Sequence, residues 1–258
     1  WPNDIRMHYG FALDYYREKL YFDVEFQKYL QFKFYEQWSK LKKYANDKHI
    51  LIVGDMPIYA SLDSADVWAH PKLFLLDQNR RPTKVAGVPP DYFSPTGQRW
   101  GNPIYDWEHM KEDNYAFWID RLAYVSTMFD IIRIDHFRGF EAYWSIPYGD
   151  VTARGGQWVK GPGMGFIQAV KKALPELKLI AEDLGVLTDE VIALRDESGF
   201  PGMRVFQFGF FGGETPHKPH NYINNCVAYS GTHDNNTLFS YLWESDDAVR
   251  RRTLDYCG

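Results

Sequence analysis

Five short apolar runs punctuate the chain, at 50–54, 131–134, 178–181, 203–208 and 226–230. Runs of that length, bounded by loop residues and without polar alternation, predict strands buried on both faces, as in a parallel sheet. Between them the periodicity becomes helical. Residues 22–48 predict a long amphipathic helix with Phe26, Tyr29, Leu30, Phe34, Trp38 and Leu41 on one broad face. Residues 114–129 predict another, aligning Tyr115, Trp118, Ile119, Leu122 and Val125, with the 115–118 aromatics in the core. A glycine-rich loop, 155–165, leads to a helix at 166–174 that Pro175 stops. Thr188 is an expected N-cap, with Asp189 and Glu190 suited to a helix N-terminus, and this helix should end near Gly199-Phe200-Pro201. Ser245 is expected to cap a last helix, with Asp246 and Asp247 in its first turn. Alternating helix and strand predicts right-handed β/α units in a parallel sheet.

Residues 56–110 break this rhythm. They lack helical periodicity and are dense in Pro and Gly; 73–76 and 82–85 flank Asp77-Gln78-Asn79-Arg80-Arg81, an expected hairpin. An excursion this long between regular elements is usually functional. No internal repeat or low-complexity tract is present.

Composition narrows the function classes. With 258 residues, 45 % of them hydrophobic, the chain can fill one β/α barrel or two small domains, and bulk disorder is not expected. The net charge of −5 and the lack of a basic stripe argue against a nucleic-acid partner. The 9 Trp, 18 Tyr and 18 Phe exceed core needs where they stand beside Pro and Gly in loops, and there they suit a flat, amphipathic ligand. The two cysteines, Cys226 and Cys257, imply no disulfide framework, and Cys226 is expected to be buried. No run is apolar for long enough to span a membrane and no signal-peptide pattern opens the chain, so no membrane association and a cytoplasmic location are expected.

Charged residues at the ends of the apolar runs carry the chemistry. Asp135 ends Ile131-Ile132-Arg133-Ile134, Glu182 follows Leu179-Ile180-Ala181, Asp234 lies just past 226–230, and Asp55 follows Ile50 to Gly54. Parallel strands would bring these carboxylates to one face of the sheet, the face that holds the active site in a β/α barrel. Converging carboxylates are what glycoside chemistry requires. Arg133 and Asp135 are two apart on one strand, so their side chains share a face. A guanidinium in contact keeps a carboxylate ionised, as a nucleophile must be. Partial burial at a strand end would favour the protonated form of Glu182 and suit it to general acid/base work. Its neighbour Asp183 should point the other way. Asp234, beside His233, could orient sugar hydroxyls and stabilise positive charge on the ring.

Other patterns are weaker. Ala-Glu-Asp-Leu-Gly alone could be a strand ending in a capping Glu. Asp135-His136 and His233-Asp234 could be metal pairs, but no Cys or further carboxylate stands nearby at ligand spacing. His217 and His220 form a bare His-x-x-His in a loop, a poor metal signal. Gly161-Pro162-Gly163-Met164-Gly165 resembles a phosphate loop but has no Lys-Ser/Thr and does not follow a strand, so a turn into a helix is expected. No metal and no cofactor is indicated.

Taken together, the motifs resemble the amylomaltase (4-α-glucanotransferase, or disproportionating enzyme) family. Gly-Asp-Met-Pro-Ile-Tyr (54–59), Gly-Val-Pro-Pro-Asp-Tyr-Phe-Ser-Pro-Thr-Gly-Gln-Arg-Trp-Gly-Asn-Pro (87–103), Arg-Ile-Asp-His-Phe-Arg-Gly (133–139), Ala-Glu-Asp-Leu-Gly (181–185) and Gly-Thr-His-Asp-Asn (231–235) stand in the family's order. The first two separate it from the α-amylases, and the resemblance runs along essentially the whole chain. It implies a retaining transglycosylase on a TIM (β/α)8 barrel, acting on α-1,4-glucans and glucose. By this resemblance Asp135 is the nucleophile, Glu182 the acid/base and Asp234 the transition-state stabiliser. Arg133 and His233 would support the donor ring, and Asp55 would be a carboxylate that either contacts the sugar or stands behind the groups that do. Tyr92, Phe93 and Trp100 would line a glucan-binding loop, and Asn102 and His136 would be further sugar contacts.

Five strands fall short of the eight of a closed barrel. The expectation is therefore a single catalytic-barrel segment over 1–258, with a long loop insertion at about 56–110 and the family's N-terminal and C-terminal barrel parts absent. Open sheet edges and apolar helix faces would then favour aggregation. The 258 residues alone should have little activity, which full turnover by the isolated, folded chain would refute. Two other readings remain at this stage: an α-glucan hydrolase of the amylase type, and a non-catalytic glucan-binding barrel.

Overall fold

A computed structural model describes residues 1–91, 94–185 and 187–258. They form two compact units of mixed α/β content, Trp1–Lys178 and Leu179–Gly258. Among its described residues the first unit has strands β1 (Val53–Pro57), β2 (Lys84–Val88), β3 (Gln98–Pro103), β4 (Ile131–Asp135), β5 (Ala142–Pro147) and β6 (Gln157–Lys160). The second has β7 (Leu179–Ala181), β8 (Gly202–Val205) and β9 (Cys226–Tyr229).

The five apolar runs correspond to β1, β4, β7, β8 and β9. β1 and β4 pair in parallel, with Asp55 opposite Arg133 and Pro57 opposite Asp135. β1 begins later than its run predicts because the preceding residues are used elsewhere. The Ile52 N–H donates to Asp130 Oδ2 at 2.8 Å, and Asn46 Nδ2 donates to the Ile50 carbonyl at 3.1 Å. In the second unit β8 and β9 pair in parallel from Gly202–Cys226 to Val205–Tyr229, and the Ala181 N–H donates to Pro201 O at 2.9 Å. The run at 203–208 is only half strand. Beyond Val205 it turns into a 3-10 helix, Phe206–Gly209, and Phe206 packs with Phe210, Tyr241 and Val249 in a small core of its own.

Four strands lie outside the five apolar runs, and of these only the start of β2 falls within an arm of the expected hairpin, 82–85. β2, β3, β5 and β6 form an antiparallel sheet in the order β3-β2-β5-β6. These strands are short, carry Gly87, Gly101, Pro103 and Pro147, and bury little that alternates. Gly87 is required where β2 meets β3, since a Cβ there would collide with the Gln98 carbonyl. The expected hairpin around 77–81 shrinks to a single Leu76–Pro82 bridge, closed by the Asp77 N–H bond to Arg81 O at 2.8 Å.

The helices follow the periodicity closely. Tyr21–Asp47 is one helix, yet no residue on it is buried; Phe26, Tyr29, Leu30, Phe34 and Leu41 stand exposed. Its attachment is local. Trp38 Nε1 donates to Met128 O at 2.9 Å, and Lys42 Nζ donates to the carbonyls of Ser126, Thr127 and Phe129 at 3.1–3.3 Å. A lysine there satisfies orphan carbonyls at the C-terminus of the helix Ala116–Met128 and complements its dipole. That helix carries Trp118 into an aromatic core with Trp107, Phe140 and Phe166, with ring centroids 4.6–6.1 Å apart. Tyr115 is buried there as well. The glycine-rich loop does turn into a helix, Gly163–Ala173.

Two smaller expectations are corrected. Ser245 ends the helix Leu238–Glu244, its hydroxyl donating back to Tyr241 O at 2.6 Å, while Asp246 caps the following helix by accepting the Val249 N–H at 2.8 Å. Cys226 is half-buried rather than buried, because β9 is only partly covered, and both cysteines are free. Thr188 stands at the N-cap of Asp189–Ser198, though its side chain makes no capping bond. That helix ends at Gly199, whose φ of 68° favours glycine. Among the described residues no helix is long and apolar enough to cross a membrane.

Candidate active site

The parallel register of β1 and β4 sets Arg133 between two carboxylates. Its Nη1 lies 2.5 Å from Asp55 Oδ1 and 3.2 Å from Asp135 Oδ1. Arg133 is buried, whereas both carboxylates are nearly half exposed. Ile132 and Ile134, on the opposite face of β4, are fully buried and hold the strand in place. A charged trio at the C-terminal end of a parallel pair is thus presented outward from an apolar anchor.

His136 continues from Asp135 in a left-handed turn with φ 55°. Its ring meets Trp100 edge-on, with centroids 4.8 Å apart, and Trp100 in turn lies 6.2 Å from the buried Tyr59. Burial, and secondarily the Arg138 guanidinium, push the His136 imidazolium down to about 4, so the ring is neutral at physiological pH. Burial also raises the Tyr59 phenol above its ordinary value. Asn102 reaches this corner from β3, and its Nδ2 donates to Ala60 O at 3.0 Å, tying the hairpin to the segment after β1. Tyr92 and Phe93 lie outside the described residues. On either side of them, the Asp91 N–H donates to Ser94 O and the Ser94 N–H to Asp91 Oδ1, at 3.0 and 2.7 Å.

In the second unit Glu182 leaves the end of β7 only 8 % exposed, and its Oε1 accepts the Leu184 N–H at 2.6 Å. Asp183, like Glu182 just past the end of β7, diverges from it into a buried ion cluster. Its Oδ2 lies 2.6 Å from Arg195 Nη1 and 3.2 Å from Arg204 Nη1, and its Oδ1 accepts the Met203 N–H at 2.6 Å.

Asp234 and His233 stand on the turn beyond β9, both well exposed, with His233 Nε2 3.5 Å from Asp234 Oδ1. The turn is rigid behind them. The Thr232 N–H donates to Asn235 Oδ1 at 2.9 Å, and the Asp234 N–H donates to Thr232 Oγ1 at 3.3 Å. Gln207 braces it, donating from Nε2 to Asn236 O at 2.9 Å and receiving Gly231 where no Cβ would fit.

Each unit therefore gathers its own candidates: Asp55, Trp100, Asn102, Arg133, Asp135 and His136 in the first, Glu182, His233 and Asp234 in the second. Sequence reasoning passed over Gln207, Tyr59 and the Arg195–Arg204 pair. A readable signal existed for Arg204, a charge inside an apolar run as Arg133 is. The His217–His220 pattern is taken up by other partners. His217 Nδ1 accepts the Val205 N–H at 3.1 Å, and His220 bonds Tyr256 and Glu214. Among the described residues no group of three His, Cys, Asp or Glu side chains could hold a metal ion.

The chain as a whole is similar to known proteins. The family model described as 4-alpha-glucanotransferase matches residues 1–258. A 4-alpha-glucanotransferase of Streptococcus pneumoniae is 54 % identical over 259 residues, covering 99 % of this chain and 51 % of that protein. One from Clostridium butyricum is 50 % identical over 240 residues, covering 92 % and 49 %. Among solved structures, the amylomaltase from Streptococcus agalactiae in complex with acarbose superposes with a TM-score of 0.95 at 42 % identity, covering 99 % of this chain and 52 % of that one. The chain spans about half the length of the curated relatives it matches.

Proposed function

This chain belongs to the 4-alpha-glucanotransferase family, and we propose that it carries the catalytic carboxylates of an enzyme that moves a segment of an α-1,4-glucan onto the 4-hydroxyl of another glucan or of glucose. The observation that carries this reading is the Arg133 guanidinium, 3.2 Å from Asp135 at the C-terminal end of a parallel strand. It keeps a partly exposed carboxylate ionised where a donor sugar can reach it. We read β1, β4, β7, β8 and β9 as strands of a (β/α)8 barrel, whose C-terminal face is the place for such groups.

In this mechanism protonated Glu182 gives its proton to the glycosidic oxygen as the C1–O bond breaks, and an Asp135 oxygen bonds to C1. The shortened glucan leaves with its hydroxyl restored. Glu182, now ionised, takes the proton of an acceptor 4-hydroxyl as that oxygen bonds to C1 and Asp135 is released. Two inversions retain the α configuration. Such chemistry demands that the two carboxyls stand about 5–5.5 Å apart around the donor. Asp234 and His233, exposed on a braced turn, are suited to hold hydroxyls of the donor ring and to stabilise its positive charge. Asp55, Arg133 and His136 would contact the same ring. A neutral His136 can both donate and accept a hydrogen bond, which suits a sugar.

Transfer must outrun hydrolysis. An aligned acceptor hydroxyl reaches an effective molarity of about 10⁵ M or more, so positioning suffices. Trp100, with Tyr92 and Phe93, would provide it by stacking on the acceptor and displacing water, with Asn102 as a polar contact beside them. Replacing Asp135 by Asn in the chain extended to the full length of its relatives tests the whole reading: transfer from maltotriose should vanish while the fold persists. Trp100→Ala tests the platform, and an unchanged transfer-to-hydrolysis ratio would refute it.

A further inference from the structure

We propose that Asp183 is a positioning residue: clamped by Arg195 and Arg204, it fixes the backbone that carries Glu182 and thereby aims the Glu182 carboxyl. This rests on the reading of Glu182 as acid/base. Three groups from two elements meet at the one carboxylate. Arg195 comes from the helix Asp189–Ser198, Arg204 from β8, and the Met203 N–H from the same strand. The approach is close enough to require glycine at 202, where a Cβ would stand 2.5 Å from Asp183 Oδ2. Arg195 is itself steadied by Asp196, which accepts from its Nε and Nη2 at 2.9 and 2.7 Å.

Stability alone does not account for this cluster. Desolvating an aspartate and two guanidiniums costs enough that an apolar replacement of similar volume is often neutral or stabilising. Geometry does account for it. β7 ends at Ala181, so Glu182 sits on backbone that no strand ladder fixes beyond that point. The Glu182 carboxyl closes over Asp183 to accept the Leu184 N–H, so the residue between them is the fixed point of the turn. A reacting group misplaced by 1 Å loses about 10²-fold in rate.

The test separates aim from fold by changing the leaving group. With maltotriose, the departing sugar oxygen needs the Glu182 proton. With α-maltosyl fluoride, the C1–F bond breaks as Asp135 bonds to C1, and fluoride departs with the electron pair, needing no proton. First-turnover rates are measured for both donors in the chain extended to the full length of its relatives. Asp183→Asn, which removes the charge at constant size, should slow maltotriose cleavage by about 10–10²-fold and fluoride release by less than about threefold. Gly202→Ala, which displaces Asp183 without removing its charge, should show the same preference and decides the matter if Asp183→Asn does not fold. Equal losses on both donors, or no loss on either, would overturn the proposal. Glu182→Gln must show the same donor dependence more strongly. If it does not, the acid/base reading falls and the proposal with it, whereas failure of the Asp183 and Gly202 variants alone overturns only the clamp.

Discussion

The ends of β4 and β7 each present a carboxylate, and their surroundings are opposite. Asp135 is nearly half exposed and touches a buried guanidinium. Glu182 is buried, and its carboxyl accepts a backbone N–H. Arg195 and Arg204 spend their charge on the adjacent Asp183. One carboxylate is thus set by a charged side chain and partial exposure, the other by burial and a backbone N–H, and divergent surroundings of this kind are what a nucleophile and an acid/base require. The two carboxylates differ in residue type, but they differ more in the partners that stand beside them.

The comparison can be broken at several points. Asp135→Asn should have the largest effect, lowering transfer by more than about 10⁴-fold, as loss of a covalent group does. Comparable activity in the folded variant would remove Asp135 from the chemistry. Glu182→Gln should cost about 10²–10⁴-fold, the span of general acid/base catalysis. It should also flatten the alkaline limb of the pH–rate profile, and a limb that keeps its shape would assign the acid elsewhere. Arg133→Lys, whose ammonium sits on a side chain of different length and shape and so meets Asp55 and Asp135 from a different point, should lower kcat by about 10²-fold through misplacement of Asp135. A loss confined to KM would assign Arg133 to binding alone.

The smallest effect is on stability. His136 titrates near 6.5 when unfolded and about 4 when folded. Its contribution is therefore fully present above pH 6.5 and is lost as pH falls from 6.5 toward 4. The loss should be about 1–3 kcal/mol. Thermal unfolding followed by circular dichroism between pH 4 and 7 should show a shallower acid-side decline in His136→Gln than in the parent. Parallel curves would mean that His136 takes up its proton as easily folded as unfolded.

What could be read from the sequence depended on how regular each signal was. β4 and the helix Ala116–Met128 were legible because buried parallel strands and core helices leave dense apolar patterns. The divergence of Asp183 from Glu182 agrees with the alternation expected of a strand, although both residues lie just past the end of β7. The antiparallel sheet was hidden, because β3 and β6 are half-exposed, interrupted by glycine or only four residues long, and are held by pairing rather than by their own pattern. Gln207 was hidden for a different reason: it acts on Gly231 and Asn236, more than twenty residues away, and no local pattern announces such a brace. The amphipathic helix Tyr21–Asp47 was predicted correctly as a helix, but its apolar face is not buried as the periodicity implies.

The most direct test of glucan transfer is product analysis after incubating maltotriose with the chain extended to the full length of its relatives. Glucose together with maltotetraose and longer maltooligosaccharides, with no net gain of reducing ends, is the predicted result. Shorter sugars alone, with reducing ends rising in step, would contradict transfer and make the enzyme a hydrolase. Unchanged maltotriose would contradict catalysis altogether.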